Sequence, residues 1–376
     1  MNFDYPANQE IFRTKLKELF DPAERAALTM AAGLDPESLR ALLLRAMKKL
    51  GEAGYPVRDL ESGKNSPDLL AVQEVLAAED PSLFLAAEAS IRVFGRLVAV
   101  YGTADQKHEM LPALRDGRLL GAVGLTETGM SLAANPILTK GTKEEDGFRV
   151  SGTKGHVLNA PAADLIAVAG ENDTGPAFFI VPNPSEGLFI GERMPTLGYD
   201  GAVISPLTLR GCLVPSRSVL GPFPGRQVFE AVRTWEDEIL TAASLGLMQS
   251  AFDAATQYAK AHRSGGKPII AYQEVSFKLA EMLTLLQTGR LLAYRAAWMS
   301  ETQNREAAVL ARCAKVFCTE AAEKVTSSAL QVLGQQGFVR GNPAEEGYRD
   351  AKYLQIAGTS SEISRITIGD LLLGGR

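Results

Sequence analysis

The chain has 376 residues, 46% of them hydrophobic and 22% charged, with 44 acidic against 39 basic side chains and a net charge of −5. That length exceeds what one core usually holds, so two or three domains are expected, and the scattered Lys and Arg residues argue against an electrostatic grip on nucleic acid or anionic lipid. No apolar run reaches the roughly 18 residues of a membrane span, and MNFDYPANQEIFRTKLKELF lacks the charged-then-apolar layout of a signal peptide, so the cytoplasm is the expected compartment.

Residues 1–118 read as an N-terminal helical domain. SLRALLLRAMKKLGEAGY repeats apolar residues at three- and four-residue intervals and stops at a glycine. SPDLLAVQEVLAAED opens on a Ser-Pro entry signal, and PSLFLAAEASIRVFGRLVAVYG opens on Pro. Residues 119–222 change texture. FRVSGTKGHVL, DLIAVAG, GPAFFIVP and LTLRGCLVP are short β-branched or aromatic runs punctuated by Gly, Pro, Asn and Asp. They predict a central β domain, a small sandwich or barrel, whose loops are a usual home for binding groups. Residues 223–376 return to helices, here long ones with wide apolar stripes. These predict a C-terminal bundle that associates with a second copy. The fold class is therefore α+β.

Cys212, Cys313 and Cys318 form neither a disulfide framework nor a zinc spacing, and His108, His156 and His262 are far apart. No metal site is expected. Cys313 and Cys318 read as core fillers.

The order of blocks, and the local sequence in each, resembles the acyl-CoA dehydrogenase family. YGTADQKHEMLPALRDGRLLGAVGLTE is similar to the family's GT-x-x-QK…LP-x-L-x-x-G…GA-x-x-LTEP passage. FRVSGTKGHVLNAPAAD resembles Y-x-x-NG-x-K-x-WITN-x-x-x-AD. GGKPIIAYQEVSFKLAEM and QVLGQQGFVRGNPAEEGYRDAK resemble FGKPI-x-x-FQ-x-x-x-x-KLA-x-M and Q-x-x-GG-x-GY-x-x-x-x-P-x-ER-x-x-RDAK. The resemblance implies an α-proton abstraction from an acyl-CoA thioester, with the β-hydride passing to FAD. Electron-transferring flavoprotein is the implied acceptor and a dimer or tetramer the implied assembly. Such chemistry needs a carboxylate against the α carbon and donors at the thioester oxygen.

In most members the base is the Glu of I-YEGTSEI-x-R. In RDAKYLQIAGTSSEISR, Ile356, Ser361, Glu362 and Ile363 match, but Ala357 replaces Tyr and Gly358 replaces the Glu. A minority resembling isovaleryl-CoA dehydrogenase carries the base nine residues before an LGLMQ-like segment. Counting back from Leu245-Gly246-Leu247-Met248-Gln249 gives Glu236. The bland alternative is that WEDEIL opens a helix and Glu236 serves its dipole. Asp237 follows where that pattern has Arg, and Arg233 is the nearby cation. Arg233, Asp237 and Gly358 are expected at the substrate. Gly358 and Ala357 also imply extra room near the α carbon for a branched, cyclic or aromatic acyl group.

The flavin positions implied by the resemblance are uneven. Leu125 and Thr126 are kept, whereas Ser131 and Leu132 stand in the place of the GSD, with Leu132 near the ligand's phosphates. His156 stands for the aromatic over the flavin and Leu158 for the N5 hydrogen-bond donor, with Val157 between them. Gln273, Gln331, Gly334, Thr359 and Ser361 fall at further contact positions, with His262 and Gln335 as replacements. These losses keep two alternatives open: a non-catalytic subunit paired with a homologous chain, and a non-redox lyase or desulfinase.

Overall fold

Several helix boundaries of the N-terminal domain sit where the sequence supplies caps. The computed structural model describes residues 7–29, 31–55, 60, 64–127, 137–304 and 306–373. Two short helices, α1 (Ala7–Leu19) and α2 (Pro22–Thr29), lead into α3 (Pro36–Ala53). Asp35 caps α3 through the amides of Glu37 and Ser38, and Gly54, at φ 97°, ends it. The Ser66 hydroxyl caps α4 (Pro67–Glu79), and Asp80 caps α5 (Pro81–Glu88). Each of α3, α4 and α5 starts on Pro, whose missing N–H costs nothing in a first turn. Helix α5 continues through a π-helical stretch, Ala89–Gly95, into α6 (Arg96–Tyr101). A Thr103/Gln106 capping box then opens α7 (Ala104–Arg115).

The central strands are β1 (Gly121–Gly124), β2 (Lys140–Lys143), β3 (Gly147–Leu158), β4 (Leu165–Asn172), β5 (Gly175–Pro182), β6 (Leu188–Ile190), β7 (Ile204–Pro215) and β8 (Val219–Leu220). They run in the order β6-β7-β3-β2-β4-β5-β8, with β1 parallel on β4. Among the described residues the two halves of this path pair through Lys140 of β2 and Glu171 of β4. Val150, Leu207 and Val214 from one half share a core with Ile166, Val168 and Phe179 from the other. The expected sandwich or barrel is thus one continuous sheet folded over itself, and burial of both inner faces drives the fold-over.

Three long helices follow: α8 (Gln227–Ala261), α9 (Gln273–Glu301) and α10 (Ala307–Leu333). Between α8 and α9 lies a small hairpin, β9 (Arg263–Ser264) with β10 (Lys267–Pro268). Helices α11 (Pro343–Ile356) and α12 (Ser361–Leu372) end the described chain. Helix α4 is buried on every side from Leu69 to Ala77, its polar Gln73 and Glu74 included. Glu74 pairs with Arg290 of α9 at 2.8 Å, and Arg290 also reaches Gln249 of α8 at 2.5 Å. Helix α8 crosses α4 closely enough that a Cβ at Gly246 would lie 2.6 Å from the Ala77 Cβ. The central helix is thereby fixed between the N-terminal domain and the bundle. Among the described residues no helix is long and apolar enough to cross a membrane.

Candidate active site

Four parts of the chain meet around a cavity of about 320 Å³. Leu85, Ala89 and Val93 come from α5 and its π-helical extension. Val123, Thr126, His156, Leu158 and Ile204 come from the β domain. Arg233, Glu236, Ile239 and Leu240 come from α8, and Tyr353, Ile356, Ala357 and Gly358 from α11 and the loop after it. On α8 the spacing 233, 236, 240 places these residues on one helix face. The lining is mostly apolar, with a few polar groups turned inward, which is the usual make-up of a small-molecule site.

The β-domain wall rests on a buried ion pair. Lys154 is fully buried, and its Nζ donates to Glu127 Oε1 at 2.7 Å. Glu127 also accepts from the Leu138 and Thr139 amides at 2.7 and 2.9 Å. Burial pulls the Lys154 pKa down to about 8, with Glu127 opposing. Burial works against Glu127 ionising as well, yet Lys154, the Thr139 hydroxyl and the Leu138 amide together hold its pKa below the ordinary carboxylate value. At neutral pH the pair is charged. It fixes the segment after β1, where Gly155 N donates to the Thr126 carbonyl at 2.9 Å. Between Lys154 and Val157 a bulge sets two residues of β3, Gly155 and His156, against one of β7, Pro206. There Val157 turns into the sheet core while His156 and Leu158 line the cavity. Bulges commonly re-aim side chains beside active sites in this way.

Glu236 is the tenth residue of α8, so the helix does not open at WEDEIL; the acid in its first turn is Glu230. The dipole alternative is overturned, because that effect falls off within one turn. Glu236 Oε2 accepts from Arg233 at 2.7 Å, and the other terminal nitrogen of Arg233 donates to the Thr126 hydroxyl. Burial pushes the Tyr353 phenol up to about 12, with the Glu236 charge adding to it, so this hydroxyl stays protonated.

Asp237, expected at the substrate, does not line this cavity. One residue along a helix turns a side chain by about 100°, which carries Asp237 under the loop after α11. There its Oδ1 accepts from Thr359 N at 2.8 Å, and Oδ2 lies 3.6 Å from Arg312. Burial raises its pKa to about 6, opposed by the Thr359 amide, Lys315 and Arg312. Lys315 closes the same corner from α10, donating to the Gln355 carbonyl at 3.2 Å and to that of Thr359. Gly358 has φ 62°, and a Cβ on it would lie 2.5 Å from Asp237 Oδ1 and 2.9 Å from Leu240 Cδ1. The extra room expected at Gly358 is therefore taken up by Asp237 and Leu240. That same Cβ would lie only 3.6 Å from the Glu236 Cβ, so positions 236 and 358 are direct neighbours.

The other expected contacts divide by location. Leu125 and Val157 turn their side chains into the core. Ser131 and Leu132 lie outside the described residues. Gln273, Gln331, Gly334 and Gln335 are exposed and away from the cavity, as is His262, which stacks on Tyr258 at 4.8 Å. Thr359 holds the loop. Ser361, at the start of α12, is buried, and its Oγ has no partner among the described residues. Cys318 is a core thiol, fully buried against Gly289. Sequence reasoning missed Tyr353 and the Lys154–Glu127 pair. Both lie inside passages already quoted for the resemblance, but the partners in the pair are 27 residues apart and nothing local marks them as neighbours.

The model of the acyl-CoA dehydrogenase C-terminal domain matches residues 235–373. The short-chain specific acyl-CoA dehydrogenase of human mitochondria is 31% identical over 379 residues, covering 97% of this chain and 90% of that protein. A probable acyl-CoA dehydrogenase of Bacillus subtilis is 30% identical, covering 99% of this chain and all of that one. Among solved structures, butyryl-CoA dehydrogenase from Megasphaera elsdenii superposes with a TM-score of 0.88 at 25% identity, over 99% of this chain and 100% of that one.

Proposed function

The chain belongs to the acyl-CoA dehydrogenase family, and from that premise we propose that it performs α,β-dehydrogenation of an acyl-CoA thioester with Glu236 as the base. The observation that carries this reading is the convergence on one apolar cavity of the α8 carboxylate, the vacated base position Gly358 and the wall formed by Thr126, His156 and Leu158. An isoalloxazine fits that wall, with the Thr126 hydroxyl and the His156 ring as its polar neighbours. The unpartnered Ser361 Oγ, buried at a helix start, suits a phosphate oxygen. FAD bound there supplies the acceptor for the β-hydride.

Glu236 takes the α proton on its free carboxylate oxygen while Arg233 keeps the other. The apolar lining from Leu85, Ala89, Val93, Ile239 and Leu240 excludes water from the reacting carbons, which strengthens every charge interaction there. Electron-transferring flavoprotein is the proposed electron acceptor, and a dimer or tetramer in the cytoplasm the proposed assembly and place. The acceptor and the assembly follow from the family rather than from the geometry.

Glu236→Gln tests the reading. Turnover of acyl-CoA with an artificial electron acceptor is expected to vanish, with bound flavin and thermal midpoint unchanged. Activity within a few-fold of wild type would remove Glu236 from the mechanism. Failure of the purified chain to hold FAD after reconstitution and desalting would instead move the reading to a partner-dependent or non-redox protein.

A further inference from the structure

Resting on that reading, we infer that Arg233 is a positioning residue that sets the direction of the Glu236 carboxylate from the β domain, by bridging it to Thr126. Arg233 lies one turn before Glu236, and an isolated i, i+3 ion pair on a helix is weak. Ordering a glutamate side chain costs more than such a pair returns, so the local pair alone does not fix the carboxylate. What changes the balance is the second bond of the guanidinium, which reaches the Thr126 hydroxyl 107 residues away in sequence. Thr126 is a fixed post. Its carbonyl is held by Gly155 N at 2.9 Å, and its neighbour Glu127 is tied to Lys154, Leu138 and Thr139 in the interior of the sheet.

A continuous polar path thus runs from the buried Lys154–Glu127 pair through Thr126 and Arg233 to Glu236. The Arg233 side chain is 15% exposed against 27% for Glu236, so the anchor is the more sheltered partner. A planar fork with two separated donors suits this bridging; a lysine offers one ammonium at a single point. The arrangement leaves one Glu236 oxygen bonded and directs the other into the cavity. Misplacing a reacting group by about 1 Å can cost about 10²-fold in rate.

The test uses the holoenzyme and whichever of butyryl-, isovaleryl- and hydrocinnamoyl-CoA the wild type turns over fastest. Flavin per chain is measured by visible absorbance in every variant. Arg233→Met is expected to lower kcat about 10²-fold with KM changed less than about 3-fold. It is also expected to slow exchange of the substrate α-hydrogen with D2O in the same proportion, and Arg233→Lys should recover part of both. If Arg233 acts through Thr126, Thr126→Val at equal flavin content lowers kcat and exchange in the same direction, and the double variant is no worse than Arg233→Met. Additive losses in the double variant, or wild-type α-hydrogen exchange in Arg233→Met, overturn the inference. The underlying reading fails separately, through an active Glu236→Gln or through no turnover of any of the three thioesters by the flavin-loaded wild type.

Discussion

Gly358 is the position where the family's usual base is absent, and the backbone there admits no side chain at low cost. Its φ of 62° lies in the left-handed region, where a non-glycine residue loses about 1–2 kcal/mol. An alanine Cβ would also stand 2.5 Å from Asp237 Oδ1 and 2.9 Å from Leu240 Cδ1. Overpacking of this kind costs about 1–3 kcal/mol. Asp237 has little freedom to retreat, since Oδ1 holds Thr359 N and Oδ2 faces Arg312. Gly358→Ala is therefore expected to destabilise the protein by about 2–5 kcal/mol, the sum of these two costs. Urea unfolding measures it, with Gly369→Ala as the control. Gly369 lies inside α12, and a Cβ there meets nothing within 4 Å. That variant is expected to be neutral or stabilised by up to about 1 kcal/mol. A Gly358→Ala protein within about 0.5 kcal/mol of wild type, the scatter of an ordinary surface substitution, would refute the argument. The same geometry predicts that Glu236→Gln/Gly358→Glu stays inactive, because a glutamate at 358 starts from a strained backbone pressed against Asp237.

Asp350 is 5% exposed, and its carboxylate accepts from Tyr199 N. Burial raises its pKa to about 7, with the Tyr199 amide and Arg349 opposing, and Glu346 and Asp200 adding to the rise. Between about pH 4 and 7 the folded chain holds a proton that the unfolded chain releases, so this group's contribution to stability falls as pH rises through that window. Asp350→Asn keeps the acceptor for Tyr199 and removes the titration. Its stability relative to wild type is expected to improve from pH 5 to pH 8, and an equal difference at both pH values would contradict the assignment. Lys154→Met strands Glu127 in the sheet interior and is expected to cost about 3–5 kcal/mol. Adding Glu127→Gln should return part of that loss by removing the stranded charge, although its one oxygen can serve only one of the Leu138 and Thr139 amides, which bond different carboxylate oxygens; a double variant as unstable as the single would show that the pair is not the cause.

The periodicities marked out the helices because their caps and stripes are local. Ser66 and Asp80 accept from amides three residues on and the Gly54 amide donates to the Gly51 carbonyl, and the LGLMQ passage carries Gly246, whose lack of a Cβ lets α8 cross α4. Counting back from that passage reaches the cavity for the same reason: helix spacing converts nine residues into a fixed rise and rotation. What stayed hidden depends on contacts between distant segments. The role of Asp237 follows from the loop at 357–360 folding over it, 122 residues along the chain. Adjacency to Glu236 in sequence does not give the helix face that Asp237 takes. The room expected at Gly358 is absent for a similar reason: at this left-handed turn Asp237 and Leu240 occupy the space a Cβ would enter. Glycine at 358 thus lets the loop be held from below by an aspartate, while the carboxylate beside it, Glu236, lines the cavity. In this chain both carboxylates come from consecutive residues of one helix, Glu236 facing the cavity and Asp237 the loop. The proposed base and the loop at 357–360 are thus coupled through a single turn of α8.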